Sequence, residues 1–424
     1  MIKITPTILK GKVQVPPSKS MAHRAVICAS LSSGTSIISN IDNSDDIIAT
    51  ITAMKSLGAI ISQDGDTLTI TGVTDYKLSK DKLIDCNESG STLRFLVPIS
   101  MMFCGKLNFV GTGNLGKRPL TPFYEIFDAQ NIEYSYEVDK LDLKINGNLH
   151  SDTFRLRGDI SSQFISGLLF ALPLLENDSK IIITSPLQSK GYIDLTLQMI
   201  NHFGVEIENQ DYTTFIIKGS QSYKATKYNV EGDFSQAAFY FVAGALGNAV
   251  TVTNMNINSL QADKVILEFL EQIGADITIN QDEITVSKNR LEAIDIDGSE
   301  CPDIIPIISV ALALCKGKST ITNVARLRIK ECDRLEAIST LLNKIGGNVK
   351  EFSDNLIIEG INTFDNQVQL SSYKDHRIAM SIAIATTMSK KPILLENPEC
   401  VSKSYPHFWE DYIKLNGMIS EVSK

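Results

Sequence analysis

Histidine and tryptophan are scarce in this chain: five and one among 424 residues. No two histidines stand in H-x-x-x-H spacing, which excludes a histidine-built metal site of that kind. The seven cysteines (Cys28, Cys86, Cys104, Cys301, Cys315, Cys332 and Cys400) are scattered and form no C-x-x-C pair. They supply neither a zinc site nor a disulfide framework and suit free thiols in a reducing cytoplasm. G-x-S-x-G and other nucleophile motifs are missing too. No apolar run reaches the length of a membrane span, and the opening stretch lacks the apolar core of a signal peptide, so a cytoplasmic protein is expected. Positive charge is also short. Forty Lys and Arg against 49 Asp and Glu leave a net charge of −9, which argues against nucleic acid or a membrane surface as partner. Anionic small molecules would need a local basic pocket inside an acidic protein.

What the chain does have is a repeat. A helical pattern ends in Gly or Asn, a short strand follows, then a polar turn and a return strand. The helix-ending residues are Gly58, Asn131, Gly204, Gly274, Gly346 and Asn416, spaced by 73, 73, 70, 72 and 70 residues. Gly and Asn are the residues that adopt a left-handed helix cap. One such copy is common in α/β proteins, but six at near-constant spacing are not chance. The period is too long for a solenoid, and three copies fall on each side of about residue 228. The expectation is an α/β (α+β) protein of two similar domains with three units each.

Several helix starts carry polar or charged residues. Pro16-Pro17-Ser18-Lys19-Ser20 precedes an apolar run, with Arg24 one turn on. Ser18 or Ser20 can cap that helix, and its free N–H groups with Lys19 form an anion seat. Glu88-Ser-Gly90-Ser-Thr-Leu-Arg94, the glycine-rich loop from Gly111 to Arg118, and Ser161-Ser162-Gln163 offer similar chemistry, and the stretch from Pro186 to Tyr192 could add the Ser189 hydroxyl and the Tyr192 ring. Asp233 and Asp303 each stand at the mouth of an apolar helix. Arg328-Ile-Lys330-Glu331-Cys-Asp333-Arg334-Leu-Glu336 packs six charges into nine residues, a cationic face beside a carboxylate. Asp375-His376-Arg377 and Ser402-Lys403-Ser404 repeat the pattern near the end. Taken singly, the serine and arginine stretches read about equally well as ordinary capped helices, and for Asp233, Asp303 and the 328–336 run an ordinary cap or salt-bridged surface helix is the better reading. Taken together, helix N-termini facing each other from two domains would make an electropositive cleft for two small anions.

The ordered series Pro-x-Ser-Lys-Ser-x-x-x-Arg, Gly-Ser-Thr-x-Arg, Arg118-Pro119, Ser-Ser-Gln, Gly-Asp-x-Ser, Pro-Asp, Arg-x-Lys-Glu-x-Asp-Arg-Leu, Asp-His-Arg and Ser-Lys-Ser closely resembles the 5-enolpyruvylshikimate-3-phosphate synthases. These are shikimate-pathway members of the enolpyruvyl transferases. The match runs from about Lys12 to Phe408. The resemblance implies two domains of three βαβαββ units, residues 18–228 forming one and residues 1–17 with 229–424 the other, and an active-site cleft that closes on ligands. It implies transfer of the enolpyruvyl group of phosphoenolpyruvate to the 5-hydroxyl of shikimate 3-phosphate, with no metal or cofactor; a monomer is expected because two domains complete the cleft within one chain. It also implies site residues. Lys19, Ser20, Arg24, Ser161, Ser162, Gln163, Ser189, Tyr192, Asp303 and Lys330 would contact shikimate 3-phosphate. Lys19, Gly90, Arg118, Gln163, Arg334, Arg377 and Lys403 would contact phosphoenolpyruvate, a site that glyphosate would share. Asp303 would take the hydroxyl proton and Glu331 would protonate the methylene carbon, with Lys19 beside them.

Two positions depart from the family pattern: Glu88 stands where many members have Asn, and Arg326 where some do. Two other readings remain open at this point. UDP-N-acetylglucosamine enolpyruvyl transferase has the same architecture, but it carries a Cys in the loop after the glycine-rich segment. Residues 111–122 here hold none, and Cys104 lies in the apolar run before them. An RNA-end-processing or anion-binding protein on a related repeat would fit the fold and sits poorly with the charge.

Overall fold

The computed structural model describes residues 1–73, 81–102, 106–137 and 139–422. Cys104 lies outside them. The chain divides into two compact units, one of Met1–Ser18 with Glu231–Lys424 and one of Lys19–Val230.

Each unit contains three four-stranded sheets of one topology. In Lys19–Val230 the first sheet sets Thr35–Ser39 parallel to Lys227–Asn229 and antiparallel to Thr67–Thr71, which pairs antiparallel with Ile60–Asp64. Lys106–Val110 and Ser179–Ile183 hold the same place in the next two sheets. In the other unit that place belongs to Val250–Thr253, Lys318–Thr322 and Ile393–Glu396. Among the described residues no return strand follows Met418–Glu421 in the sixth repeat. Ile2–Thr5 fills the vacancy, pairing antiparallel with both Ile393–Glu396 and Met418–Glu421. Gly11–Gln14 completes the Val250–Thr253 sheet in the same unit. The amino-terminal segment therefore belongs to the carboxy-terminal repeats.

The repeat has a physical signature. All six helix-ending residues have positive φ: Gly58 (109°), Asn131 (55°), Gly204 (79°), Gly274 (98°), Gly346 (104°) and Asn416 (79°). In each copy the following N–H reaches back to a carbonyl five residues earlier, as in Ala59→Met54, Ile132→Phe127, Val205→Ile200, Ala275→Leu270, Gly347→Leu342 and Gly417→Tyr412. This is the Schellman closure, which turns the chain out of the helix and into the strand.

Each unit has its own apolar core. In the carboxy-terminal unit the core is centred on three buried helices, Phe234–Leu246, Ile305–Leu312 and His376–Thr387, which pack on one another. In Lys19–Val230 the corresponding helices are Lys19–Leu31, Gly90–Ser100 and Ser162–Ala171. Burial of helices on nearly all sides forces their polar residues to the ends, so the chemistry gathers at the N-termini. Among the described residues no helix is long and apolar enough to cross a membrane.

Candidate active site

The carboxy-terminal unit holds six of the candidate residues in one cluster. Asp303 precedes the helix Ile305–Leu312, where Pro306 occupies the first turn. Its carboxylate accepts from Arg334 Nη1 (2.9 Å), Arg377 Nη2 (3.1 Å) and Lys330 Nζ (3.4 Å). Arg377 Nη1 also donates to the Asp303 carbonyl (2.9 Å). Burial works against ionisation, but Arg377, Lys330 and Arg334 outweigh it and hold the Asp303 carboxyl well below the usual carboxylate range. Burial likewise pulls the Lys330 ammonium down.

Glu331 and Arg334 flank the start of the helix Arg334–Lys344, which Asp333 caps by accepting from Glu336 N. Arg334 Nη2 donates to Glu331 Oε2 at 2.8 Å, and Lys403 Nζ lies 3.9 Å from Glu331 Oε1. One guanidinium thus bridges the two carboxylates expected to move protons. Asp375 fixes that guanidinium from behind. It accepts from Arg334 Nε (2.7 Å) and Nη2 (3.3 Å), and it caps its own helix through Arg377 N (2.8 Å). Sequence reading named the Asp-His-Arg run but gave Asp375 no role. Its signal was its place one residue before the helix, where a cap is expected.

The unit Lys19–Val230 holds the rest. Ser18 stands just before the helix Lys19–Leu31, so Ser20 lies inside the first turn rather than at the cap position. Lys19 Nζ pairs with Asp46 Oδ2 at 2.6 Å. Arg24 is only 2% exposed and works inside the unit. Its Nε donates to Thr196 Oγ1 (2.9 Å), Nη1 to the Ser20 carbonyl (2.7 Å) and Nη2 to the Tyr192 carbonyl (2.8 Å). Burial lowers its pKa to about 10. Arg24 therefore ties the first helix to the start of the helix Lys190–His202, where Ser189 adopts φ 59° and Tyr192 is half-buried.

Ser161 caps the helix Ser162–Ala171 by accepting from Gln163 N (3.3 Å). Gln163 is held at both ends of its amide: Oε1 accepts from Arg94 Nη1 (2.8 Å) and Nε2 donates to Ser91 Oγ (2.9 Å). Arg94 also lies over the Phe164 ring at 5.0 Å. It was legible only as an arginine one turn into a helix, and the contact with Gln163 makes it part of the site. Arg118 closes the short turn Leu115–Lys117. A Cβ added at Gly90 would stand 2.8 Å from Arg118 Nη1, 3.4 Å from Arg94 Nη1 and 3.6 Å from Gln163 Oε1. Gly90 is therefore the residue that lets two arginines and an amide converge. Lys19, Ser20, Arg24, Gly90, Arg118, Ser161, Ser162, Gln163, Ser189 and Tyr192 thus share one unit, and Asp303, Lys330, Glu331, Arg334, Arg377 and Lys403 share the other.

The two departures also have places. Glu88 lies against Gly113, whose φ of 59° and missing Cβ make room for the carboxylate. Arg326 donates to the Ser299 carbonyl at 2.7 Å.

Known proteins resemble this chain along its whole length. The EPSP synthase (3-phosphoshikimate 1-carboxyvinyltransferase) family matches residues 4–412. A 3-phosphoshikimate 1-carboxyvinyltransferase from Clostridium perfringens (strain SM101 / Type A) is 58% identical over 419 residues, 99% of each chain. One from Clostridioides difficile (strain 630) is 57% identical, over 99% of this chain and 98% of that one. In fold, an EPSP synthase structure from Acinetobacter baumannii superposes with a TM-score of 0.80 at 24% identity, covering 99% of both chains. The enolpyruvyl transferase NikO from Streptomyces tendae gives 0.78 at 15% identity, over 100% of this chain and 99% of that one. With buried helices that deliver their charged and hydroxyl-bearing ends to two clusters, and with relatives this similar over nearly the whole chain, the chain belongs to the EPSP synthase family.

Proposed function

We propose that this chain transfers the enolpyruvyl group of phosphoenolpyruvate to the 5-hydroxyl of shikimate 3-phosphate and releases phosphate, on the route to chorismate and aromatic amino acids. The observation that carries the reading is Arg334, which donates to Asp303 at 2.9 Å and to Glu331 at 2.8 Å. Addition followed by elimination needs one group to take a proton from oxygen and another to lend a proton to carbon. Two carboxylates held on one buried arginine meet that need.

In this reading Asp303 takes the hydroxyl proton as the oxygen attacks C2 of phosphoenolpyruvate. Protonated Glu331 gives its proton to C3, completing a tetrahedral adduct. The adduct then loses phosphate as Glu331 takes a proton back from C3. Arg118, Arg334 and Arg377 hold phosphoenolpyruvate, since guanidinium forks match carboxylate and phosphate oxygens. Lys19 and Lys403 offset charge on the departing phosphate. Ser20, Ser161, Ser162, Gln163 and Ser189 hold the shikimate ester with Lys330, while Tyr192 packs on its ring and Arg24 fixes that wall from within. Gly90 leaves the room this requires. The chemistry calls for both residue sets at one substrate pair, so the reading requires the two units to act together. None of the steps calls for a metal ion or organic cofactor. Both units supply residues within one chain, which favours an enzyme that works as a monomer, and the scattered free cysteines suit the cytoplasm.

The test is phosphate release from phosphoenolpyruvate with shikimate 3-phosphate, run beside UDP-N-acetylglucosamine, for the wild type and Glu331→Ala. Release with the shikimate ester alone, nearly lost in the variant, is the expected result. Release with the sugar nucleotide alone would overturn the assignment. Glyphosate is expected to compete with phosphoenolpyruvate.

A further inference from the structure

Thr196 and Ser166 have no role above, yet both are fully buried. Thr196 lies in the helix Lys190–His202 and Ser166 in the helix Ser162–Ala171. Three contacts meet on the Thr196 hydroxyl. Arg24 Nε donates to it at 2.9 Å, the Ser166 hydroxyl lies 2.8 Å away and the Tyr192 carbonyl 3.0 Å away. A hydroxyl has one proton to give and two lone pairs. Arg24 only donates and a carbonyl only accepts, so a single arrangement forms all three contacts together. The Thr196 proton goes to Tyr192, and Ser166 donates to Thr196. A buried hydroxyl whose capacity is used in full holds its partners in one geometry. The network also closes on itself. Arg24 Nη2 donates to the same Tyr192 carbonyl at 2.8 Å, and Nη1 to the Ser20 carbonyl at 2.7 Å.

Arg24, Ser166 and Thr196 each stand four residues after a residue that the proposed reaction places on the shikimate ester or its ring: Ser20, Ser162 and Tyr192. Residues four apart lie one above the other on a helix face. Three linked side chains, each on its own helix, thus sit one turn beneath three of the substrate contacts. We propose that Thr196 is a positioning residue for shikimate 3-phosphate, its hydroxyl holding three helix starts in register so that Ser20, Ser162 and Tyr192 meet one ligand. The inference rests on the reading of those three residues as contacts to the ester. The residues of this unit assigned to phosphoenolpyruvate are held by other contacts. Lys19 is paired with Asp46, Gln163 is fixed by Arg94 and Ser91, and Gly90 and Arg118 lie on other elements.

Thr196→Val keeps the shape of the side chain and removes the hydroxyl, whereas Thr196→Ser keeps the hydroxyl. In Thr196→Val the Kd of shikimate 3-phosphate by calorimetry, and its KM in phosphate release, are expected to rise roughly tenfold, while kcat and the KM of phosphoenolpyruvate stay within about twofold of wild type. Thr196→Ser is expected to bind the ester as the wild type does. Ser166→Ala removes one contact to the same hydroxyl and is expected to give a smaller rise for the same substrate, which keeps the test open where Thr196→Val does not fold. A purely structural loss would lower the folded fraction, and with it the apparent kcat, without separating the two substrates. An unchanged Kd in both Thr196→Val and Ser166→Ala would overturn the proposal. So would equal rises for both substrates, or a Thr196→Ser variant as weak as Thr196→Val. A wild type that binds no shikimate 3-phosphate would overturn the function reading itself, and this inference with it.

Discussion

Arg334 and Asp375 form an ion pair closed to solvent, with side chains 1% and 0% exposed and two contacts of 2.7 and 3.3 Å. The pair aims the remaining donors of Arg334 at Asp303 and Glu331. Removing one partner of such a pair leaves a buried charge without its counter-ion. Asp375→Asn keeps an oxygen for capping but removes the charge, and should cost roughly 3–5 kcal/mol. The urea midpoint reads this directly. A loss below about 1 kcal/mol would mean that Asp303 and Glu331 alone satisfy Arg334.

Glu331→Gln tests the proton donor with little change of shape. Its carboxylate is the counter-ion of buried Arg334 and Lys403, so Tm should fall, and the rate is read at a temperature where the variant is still folded. Phosphate release should fall by about a hundredfold or more, carried by kcat rather than KM. Activity within tenfold of wild type would remove Glu331 from the chemistry.

Gly90→Ala places a methyl group 2.8 Å from Arg118 Nη1, so the guanidinium must move. A displaced carboxylate clamp should raise KM for phosphoenolpyruvate by roughly tenfold and weaken glyphosate at least as much. KM for shikimate 3-phosphate should stay near the wild-type value. Equal rises for both substrates would show that the methyl group disturbs the whole helix start.

His23 gives a pH prediction. Its Nδ1 lies 2.7 Å from Thr50 Oγ1, in a buried chain that continues from Thr50 to Thr92 and Ser89. Burial lowers its pKa from 6.5 to about 3, against the pull of Asp46. Between those values the unfolded chain takes up a proton that the folded protein refuses, so stability is lost as pH falls from 6.5 toward 3. His23→Gln should flatten this loss, read as urea midpoints at neutral and acid pH. An unchanged slope would place the acid sensitivity elsewhere.

Local chemistry wrote much of this protein into its sequence. A left-handed cap needs Gly or Asn, so the six helix ends could be counted before any fold was known. Buried helices must carry their polar residues at the ends, so Ser161, Asp303 and the Lys330–Arg334 run stood out as helix mouths. Other features are set by contacts between residues far apart in the chain. Ile2–Thr5 completes the last repeat because a sheet needs a partner strand, and nothing within four residues announces which. Arg24 reads in the sequence as an anion ligand one turn into a helix, and only the fold shows that one N–H on each of its three nitrogens goes to Ser20, Tyr192 and Thr196. Asp375 and Arg94 stand inside motifs that the sequence shows, but nothing in those motifs gives them a role. Their importance comes from burial beside opposite or like charge. The sequence by itself determined the repeat, the helix mouths and the family, because each depends on residues within a turn or on motif order. Which arginine bridges which carboxylates was decided only by the tertiary structure, because electrostatic energy depends on distance and desolvation.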